Sequence, residues 1–466
     1  MAPDLFEKKC IHIIAVGGAA MSAIAYICDR MGHVVTGSDQ SSSDVLERLR
    51  SQGLDVWSPH DVGRLGSPDL VMVSAAVPAS NPELVALQAK GIPMATRADV
   101  MESLGLLRRT VAISGTAGKT TTAAMMATVA HTCGLAPSMI VGATIHGLGN
   151  GVEWKDSEWL VVEADESDGS FLRFNAEAVI VTNIEPDHLD YWGSMNALES
   201  AFDRFVTQAS GPKVVNADDL GCAALRERIG PRDGLVTFGT DRDATYRITN
   251  YKATGLQTTF DVVSAGRAVI PVELRVPGLH NAMNAVAVLA MAIELGLTPS
   301  DVATGLSAFR GASRRFEFRG VGNGVTFVDD YAHLPAKVRS AVEAALLGNW
   351  PRVVAVYQPH RYTRTRDLWK DHADSFVGVD LLVITGIYAA GQQPIPGVTG
   401  KLIADEVLRA HPRQRVLYCE THDELVATLE RELREGDLCL TMNAGDLTTL
   451  PDQLLHSPWN KDGGRT

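Results

Sequence analysis

Along its 466 residues the chain alternates short apolar, β-branched runs with longer apolar or amphipathic stretches, which predicts strands each followed by a helix. The first run, Ile11-His12-Ile13-Ile14-Ala15-Val16, leads into Gly17-Gly18-Ala19-Ala20-Met21-Ser22 and an apolar helix to about Met31. Gly32-His33 then turns into Val34-Val35-Thr36-Gly37, which ends at Ser38-Asp39. A glycine turn between strand and helix, with an acid about 20 positions later, is the βαβ pattern of a Rossmann-like domain. Further strands are expected at Leu70–Ser74 and Ile92–Ala95, and the domain is drawn over residues 1–106. Ala15 and Ala20 stand where a full glycine fingerprint has glycines. On this pattern alone the segment fits a plain half-fold as well as a ligand-binding one.

From Leu107-Arg108-Arg109 onward a second domain is expected over residues 107–312. Its first strand, Thr110-Val111-Ala112-Ile113, feeds Gly115-Thr116-Ala117-Gly118-Lys119-Thr120-Thr121-Thr122 and a helix over Ala123–Ala130. A buried run from Trp159 ends in the acids Glu163, Asp165, Glu166 and Asp168, and another, Ala178–Asn183, ends in Ile184-Glu185-Pro186-Asp187-His188-Leu189-Asp190. These two strands are expected to be neighbours, delivering Glu163 and His188 to the carboxyl edge where open α/β sheets bind ligands. Residues 214–276 are richer in short β patterns, Pro277–Asn284 opens a strongly apolar helix ending at Gly296, and Thr298-Pro299-Ser300-Asp301 caps the next. The third domain, residues 313–466, repeats the alternation: strands at Thr326–Tyr331, Arg352–Tyr357, Leu381–Ile384 and Leu438–Met442, a turn at Asn443–Asp446, and a loose polar tail from His456. The fold class is therefore α/β in three domains: an N-terminal Rossmann-like one, a central P-loop-type one whose parallel sheet carries a smaller β-rich part, and a second Rossmann-like one at the C-terminus.

Bulk composition narrows the partners. Apolar residues make up 45% and charged residues 21%, enough to build several cores. A formal net charge of −13 argues against nucleic acid, which needs a basic face. The six cysteines are scattered, with no CxxC pair, which suits free thiols in a reducing cytosol. We find no signal peptide and no run of about 18 apolar residues, so neither export nor a membrane span is expected.

The chemistry concentrates at strand ends. Gly115, Thr116, Ala117, Gly118, Lys119, Thr120 and Thr121 follow a strand and open a helix, so backbone N–H groups and the helix terminus face a triphosphate, Lys119 adds a point charge and the Thr120 hydroxyl can hold Mg²⁺. The first glycine of the usual eight-residue pattern is absent, its place taken by Ile113. Glu163 is a hard oxygen ligand for the same ion; His188, softer, suits Mg²⁺ or Mn²⁺ when a phosphate shares the site, or else is a hydrogen-bonded core histidine. Asp187 and Asp190 could orient its ring. Ser313-Arg314-Arg315-Phe316-Glu317 offers an arginine to a transferring phosphoryl group or a solvated surface pair. Arg361 and Arg364, with His360, could clamp one carboxylate or form a basic turn.

Taken in order, these stretches resemble the Mur ligase superfamily across nearly the whole chain. The resemblance rests on Val16–Ser22, Gly37-Ser38-Asp39, Gly115–Thr122, Glu163–Leu172, Asn183–Asp190, His280-Asn281 with Asn284, Arg314–Glu317, Asp329–His333, Gln358–Thr365, Ile387–Gly391 and Ala444-Gly445-Asp446. The Glu163–Asp168 and Gln358–Thr365 stretches are similar to the branch that joins L-alanine to UDP-N-acetylmuramate in peptidoglycan precursor synthesis; a ligase that adds a tripeptide, or an idle UDP-sugar-binding paralogue, would share most of the rest. The resemblance implies an enzyme, an ATP-dependent acid–amino-acid ligase with Mg²⁺ (or Mn²⁺) as cofactor. It is expected in the cytoplasm, as a monomer or weak homodimer, with UDP-N-acetylmuramate, ATP and L-alanine as small-molecule partners and neither nucleic acid nor membrane. Its implied catalytic residues are Lys119, Glu163, His188 and Arg315, and its metal ligands Thr120, Glu163 and His188. ATP falls to residues 115–121 with Asn281, Asn284, Arg315, Asp330 and His333. Gly18, Ala20, Met21, Ser22, Ser38, Asp39 and Ser74 are implied for the UDP-sugar, and Tyr331, His333, His360, Arg361 and Arg364 for the amino acid. No lysine lies within Ala197–Val206, where several sister ligases carry a carbamylated one. The family usually has glycines at 15 and 20, His at 117, a second His at 334 and a glycine-type residue at 443.

Overall fold

In a computed structural model that describes residues 3–74, 76–266 and 268–457, three separate sheets follow one another along the chain. The first is wholly parallel: β1 (Cys10–Ile14), β2 (Val34–Ser38), β3 (Asp55–Trp57), β4 (Leu70–Val73) and β5 (Met94–Thr96), in the order β3-β2-β1-β4-β5. The order reverses between β1 and β4, the kind of switch point at which ligands sit beyond the strand ends. Ala15 follows β1 with φ +63°, so the backbone does take the left-handed turn for which glycine is the easy residue. The helix Ala19–Arg30 then opens on Gly18.

The second sheet contains β6 (Arg109–Ser114), β7 (Ser138–Ile140), β8 (Val152–Glu153), β9 (Trp159–Glu163), β10 (Ala178–Val181), β11 (Lys213–Asn216), β12 (Leu235–Gly239), β13 (Tyr246–Thr254), β14 (Gln257–Ser264) and β15 (Ile270–Leu274). Their order is β15-β14-β13-β12-β11-β10-β6-β9-β7-β8. The strands from β12 to β7 pair in parallel, while β13, β14 and β15 form the antiparallel, β-rich extension that residues 214–276 suggested. One expectation fails here: β9 and β10 are not neighbours, because β6 lies between them and pairs with both. A sequence that lists two acid-ended strands in succession cannot reveal that an earlier strand is inserted between them. Two helices pack under the sheet, Lys119–Thr132 and Leu279–Glu294, and their almost uninterrupted apolar runs are buried on all sides. Thr298 does stand at the start of helix Pro299–Ala308, but its side chain makes no capping bond.

The third sheet, β16 (Glu317–Gly322), β17 (Val325–Asp330), β18 (Arg352–Tyr357), β19 (Leu381–Thr385), β20 (Val416–Cys419) and β21 (Asp437–Met442), runs β16-β17-β21-β18-β19-β20 and is parallel apart from β16. The helix Leu450–His456 follows its last strand, and most of the tail beyond His456 falls outside the described residues. Helix Arg97–Leu107, closed by a Thr96–Asp99 capping box, runs into β6 with only Arg108 between them. One apolar cluster spans the first sheet and the near face of the second, from Leu5 through Phe171 to Ile229. Arg173 bonds Asp99 at 2.8 Å and Glu102 at 2.7 Å across the same seam.

Glu83, with no exposed side-chain surface, ties the first sheet together. It accepts from Trp57 Nε1 at 3.2 Å, the Asp61 N–H at 2.7 Å and the Ser38 hydroxyl, and it pairs with His60 at 3.1 Å. Burial alone would raise its pKa, but bonds from His12, Ser38 and the Asp61 N–H outweigh burial and bring it down to about 2. A carboxyl whose folded pKa lies below its ordinary 4.5 contributes stability above 4.5 and loses it as pH falls toward about 2. Glu83→Gln is therefore expected to lower stability by about 3 kcal/mol at neutral pH. In denaturant titrations the gap from wild type should close between pH 4.5 and about 2; a gap independent of pH would refute this account.

Candidate functional site

The loop after β6 is a cradle that only glycine can line. Gly115 has φ +136°, and a Cβ there would stand 2.1 Å from Thr182 Oγ1; Gly118 has φ +85°, with Asn284 Oδ1 2.8 Å from where a Cβ would be. The end of β10 holds the loop's backbone. Asn183 accepts from the Ala117 N–H at 2.8 Å and the Thr116 N–H at 3.1 Å, while Thr182 Oγ1 and Asn183 Nδ2 donate to the Ala117 carbonyl at 2.6 and 3.1 Å. Both main-chain groups of Ala117 are thus engaged, whatever its side chain. Helix Lys119–Thr132 begins at Gly118 with no side chain over its first N–H groups, the arrangement that receives phosphate oxygens.

Two acid–base contacts occupy the helix start. Lys119 Nζ donates to the Gly115 carbonyl at 2.8 Å and to Glu166, 2.9 Å from one oxygen and 2.6 Å from the other. Glu166 is 1% exposed; burial raises its pKa, with Lys119 pulling the other way. One residue on, the Thr120 hydroxyl donates to Glu163 Oε1 at 2.7 Å and accepts from Arg315 at 3.0 Å, and the Gly142 N–H holds the other Glu163 oxygen at 2.8 Å. Thr121 is buried. His188 stands on the far side of β6, in a left-handed turn with φ +53°, its ring 3.7 Å from Asp187. The Asp190 side chain lies outside the described residues. Among the described residues no group of three or more His, Cys, Asp or Glu side chains has metal-holding geometry. Thr120 and Glu163 nevertheless offer two hard oxygens 2.7 Å apart, close to the edge of about 2.9 Å that octahedral Mg²⁺ spans, and the donor set fits that ion.

The third sheet closes over this edge. Arg315 comes from the loop before β16, and Asp330, at the end of β17, accepts from the Phe316 N–H at 2.8 Å and the Ala332 N–H at 2.7 Å. Asp330 therefore fixes the loop that carries Arg315. His333 Nδ1 lies 2.8 Å from the Tyr331 carbonyl, which makes Nδ1 the protonated nitrogen and leaves Nε2 an acceptor. His360 Nδ1 accepts from Arg364 at 2.7 Å, and its ring stacks on Tyr388. Burial lowers the His333 pKa to about 3, and burial together with Arg364 lowers that of His360 to about 4, so both rings are neutral at pH 7. Arg361, at φ +70°, starts helix Tyr362–Leu368 and is exposed, while Arg364 is half-buried. Asn281 donates to the Pro277 carbonyl at 2.6 Å and, with Asn284, lines the start of helix Leu279–Glu294.

In the first sheet the Gly17 N–H donates to Asp39 at 2.9 Å, and a Cβ at 17 would stand 2.8 Å from Asp39 Oδ2 and from Leu46. Gly18, Ala20, Met21 and Ser22 form the start of helix Ala19–Arg30, and Ser74 follows β4 across the switch point. Ser38 and Met21 are buried, Ser38 within the Glu83 network.

Comparison with known proteins now decides the family. The descriptions "Mur ligase family, catalytic domain", "Mur ligase middle domain" and "Mur ligase, glutamate ligase domain" match residues 10–109, 113–292 and 314–445. The UDP-N-acetylmuramate–L-alanine ligase of Myxococcus xanthus is 40% identical over 458 residues, covering 97% of this chain and 96% of its own. The chain belongs to the Mur ligase family. The protein of the same name from Caulobacter vibrioides is 39% identical, covering 97% of this chain and 98% of its own. Among solved structures, a UDP-N-acetylmuramate–alanine ligase from Thermotoga maritima superposes with a TM-score of 0.80 at 28% identity, over 96% of this chain and 98% of that one. A murein peptide ligase from Psychrobacter arcticus reaches 0.66 at 23% identity, over 96% and 98%, which speaks to the fold alone.

Measured against this family frame, the structure gathers Lys119, Thr120, Glu163 and Arg315 into one contact network, with Asn284 against the loop. His333, His360 and Arg364 form a second group on the third sheet. Two residues escaped the sequence reading. In the sequence Glu166 is one acid of a cluster, and its place three residues beyond Glu163 is the available signal. Lys337, third residue of helix Pro335–Leu346, is lowered in pKa by burial and by Lys119 and Arg315, with Asp187 and Glu166 acting against this, so it faces the same centre. The only hint was a cation in a helix's first turn, where the dipole disfavours it. Gly115→Ala should force the loop apart, and a strain of 1–3 kcal/mol corresponds to roughly 5–150-fold weaker binding. Titration with a fluorescent ATP analogue checks it, and unchanged affinity would contradict the cradle geometry.

Proposed function

We propose that the chain is an ATP-dependent ligase that joins L-alanine to the lactyl carboxylate of UDP-N-acetylmuramate through an acyl phosphate. The observation that carries this is the end-to-end match, at about 40% identity, to proteins that bear that name. On this reading residues 1–106 bind the UDP-sugar, 107–312 the ATP and 313–466 the amino acid, and the enzyme works in the cytoplasm. No described helix is long and apolar enough to cross a membrane.

The chemistry runs in two displacements. A lactyl carboxylate oxygen attacks the γ-phosphorus of ATP; the new O–P bond forms as the bond to the β-phosphate oxygen breaks, releasing ADP. The alanine nitrogen, having lost a proton, then attacks the acyl carbon, and the tetrahedral intermediate expels inorganic phosphate to leave the amide. Lys119 and the N–H groups of residues 115–121 hold the phosphates, and Arg315 neutralises charge on the transferring group. Mg²⁺ bound by Thr120, Glu163 and His188 would draw charge from the phosphoryl oxygens, and Mn²⁺ could serve in its place. Arg361 and Arg364 take the alanine carboxylate, and the bare Nε2 of His333 offers an acceptor to its amine. Asn281 and Asn284 flank the nucleotide. Gly18, Ala20, Met21, Ser22, Asp39 and Ser74 line the UDP-sugar crevice, with Ser38 acting from behind it.

The test is phosphate release from ATP and Mg²⁺ with UDP-N-acetylmuramate and L-alanine, with mass analysis of the product. Release should require L-alanine, and a tripeptide should not replace it. Lys119→Ala should lose about 10³-fold or more if the lysine stabilises phosphoryl charge. Turnover with the tripeptide alone, or undiminished turnover in the variant, would defeat the proposal.

A further inference from the structure

The second and third sheets are joined by a loop that is bonded at almost every residue. Ala312 bridges to Ile145, and Ser313 exchanges two bonds with Thr144 at 2.9 and 3.1 Å. Arg314 and Phe316 both take left-handed backbone, φ +59° and +47°, which non-glycine residues adopt only under constraint. The constraints are visible: the Arg314 N–H donates to Glu317 at 2.8 Å, the Phe316 N–H to Asp330 at 2.8 Å, and the Tyr331 N–H to the Arg314 carbonyl at 2.8 Å.

Tyr331, just beyond the end of β17, packs against this loop. The guanidinium carbon of Arg314 lies 4.7 Å from its ring centre and that of Arg315 5.1 Å from the same ring. Arg314 is anchored beyond the ring, donating to the side-chain oxygen of Asn443 at 2.8 Å and its carbonyl at 3.0 Å, while Asn443 in turn donates to buried Asp329 at 3.0 Å. Among the described residues the Arg315 side chain makes no hydrogen bond on its own sheet, where the charge of Asp330 attracts it; it reaches across to the Thr120 hydroxyl at 3.0 Å. A guanidinium on a long stem loses its placement unless a surface holds it, and an aromatic face is the surface that suits it.

We infer that Tyr331 is a positioning residue for phosphoryl transfer: its ring, backed by Arg314, sets the Arg315 guanidinium against Thr120 of the phosphate loop. This rests on the ligase reading, and it differs from the resemblance, which implies an amino-acid contact at Tyr331. It also gives Asn443 a task, since the amide carries the contacts that hold Arg314.

The test is a double-mutant cycle with Tyr331→Leu, Tyr331→Phe and Arg315→Ala. Its first readout is binding of a fluorescent ATP analogue with Mg²⁺, which reports on Arg315 whichever acid and amine the enzyme takes. Tyr331→Leu should weaken binding by about 3–30-fold, the range of a cation–π contact at a partly buried site. Tyr331→Phe should recover most of that loss. In the Arg315→Ala background Tyr331→Leu should add less than about twofold, as expected for residues that act as one unit. Where turnover is measured, the loss should fall on kcat/KM for ATP and leave the KM for L-alanine within about threefold, since truncating a residue that places Arg315 acts on the phosphoryl side of the site. Equal loss with Arg315 present or absent, no rescue by phenylalanine, or a defect confined to the KM for L-alanine would overturn the inference. Failure of the wild-type enzyme to ligate L-alanine would strike the ligase reading, and the binding cycle would still decide the role of Tyr331.

Discussion

The hydroxyl of Thr120 donates to Glu163 and accepts from Arg315, at 2.7 and 3.0 Å, and the rest of the site is organised around that pair of bonds. Glu163 ends β9, Arg315 precedes β16, and Thr120 opens the helix after β6, so one side chain joins three stretches far apart in sequence. A single hydroxyl can satisfy both because it has one proton to give and lone pairs to receive with. A hydrogen bond to a charged partner contributes about 1.5–3 kcal/mol, enough to bias how the third sheet stands over the second. The same oxygens suit a hard cation.

Electrostatics sharpen the point. Lys119 and Glu166 are a buried pair, 14% and 1% exposed. Removing one partner from such a pair strands the other, a loss of about 3–5 kcal/mol. On the proposed reading, a triphosphate would compete with Glu166 for the ammonium while gaining the loop N–H groups and Arg315. Lys337 brings a further cation from the third sheet, its pKa lowered by burial and by Lys119 and Arg315. Glu166 offsets part of the repulsion among these cations, and on the proposed reading a polyanion would offset the rest. The net charge of −13 is no obstacle to that reading, because Lys119, Arg315 and Lys337 are concentrated at this one centre.

Much of this was legible before any coordinates. Val111, Ala112 and Ile113 followed by Gly115 and Gly118 announce a strand and a turn, because local sterics decide them. Glu163 could be placed at a strand end and Lys119 at a helix start for the same reason. What stayed hidden is non-local. Strand order is set by how crossovers wrap, so the insertion of β6 between β9 and β10 left no mark on either strand. The pairing of Glu166 with Lys119, and of Arg314 with Asn443, spans 47 and 129 positions. The resemblance implies a UDP-sugar contact at Ser38, and only the fold reveals that Ser38 also bonds Glu83 beneath it. Ala15 shows the converse: an alanine where glycine was expected still adopts φ +63°, because the strand ahead and the helix behind leave the chain no other path.

The three open sheet edges differ in how firmly they are joined, and this bears on how the site completes itself. The first and second sheets share an apolar cluster, with one residue between helix and strand and with Arg173 bonded across the seam. Such an interface resists rotation. The second and third meet through the loop at residues 312–316, through polar contacts such as Arg315 to Thr120 and His146 to Glu317 at 3.1 Å, and through one apolar side chain, Leu256 of the β13–β14 turn, against the third sheet's core. Polar contacts of that kind can be exchanged for contacts to ligand at little net cost, whereas an apolar core cannot. Movement on ligand binding should therefore concentrate at the second junction. The left-handed residues Arg314 and Phe316 lie within it, and they are where a change in φ and ψ would alter the aim of Arg315 most.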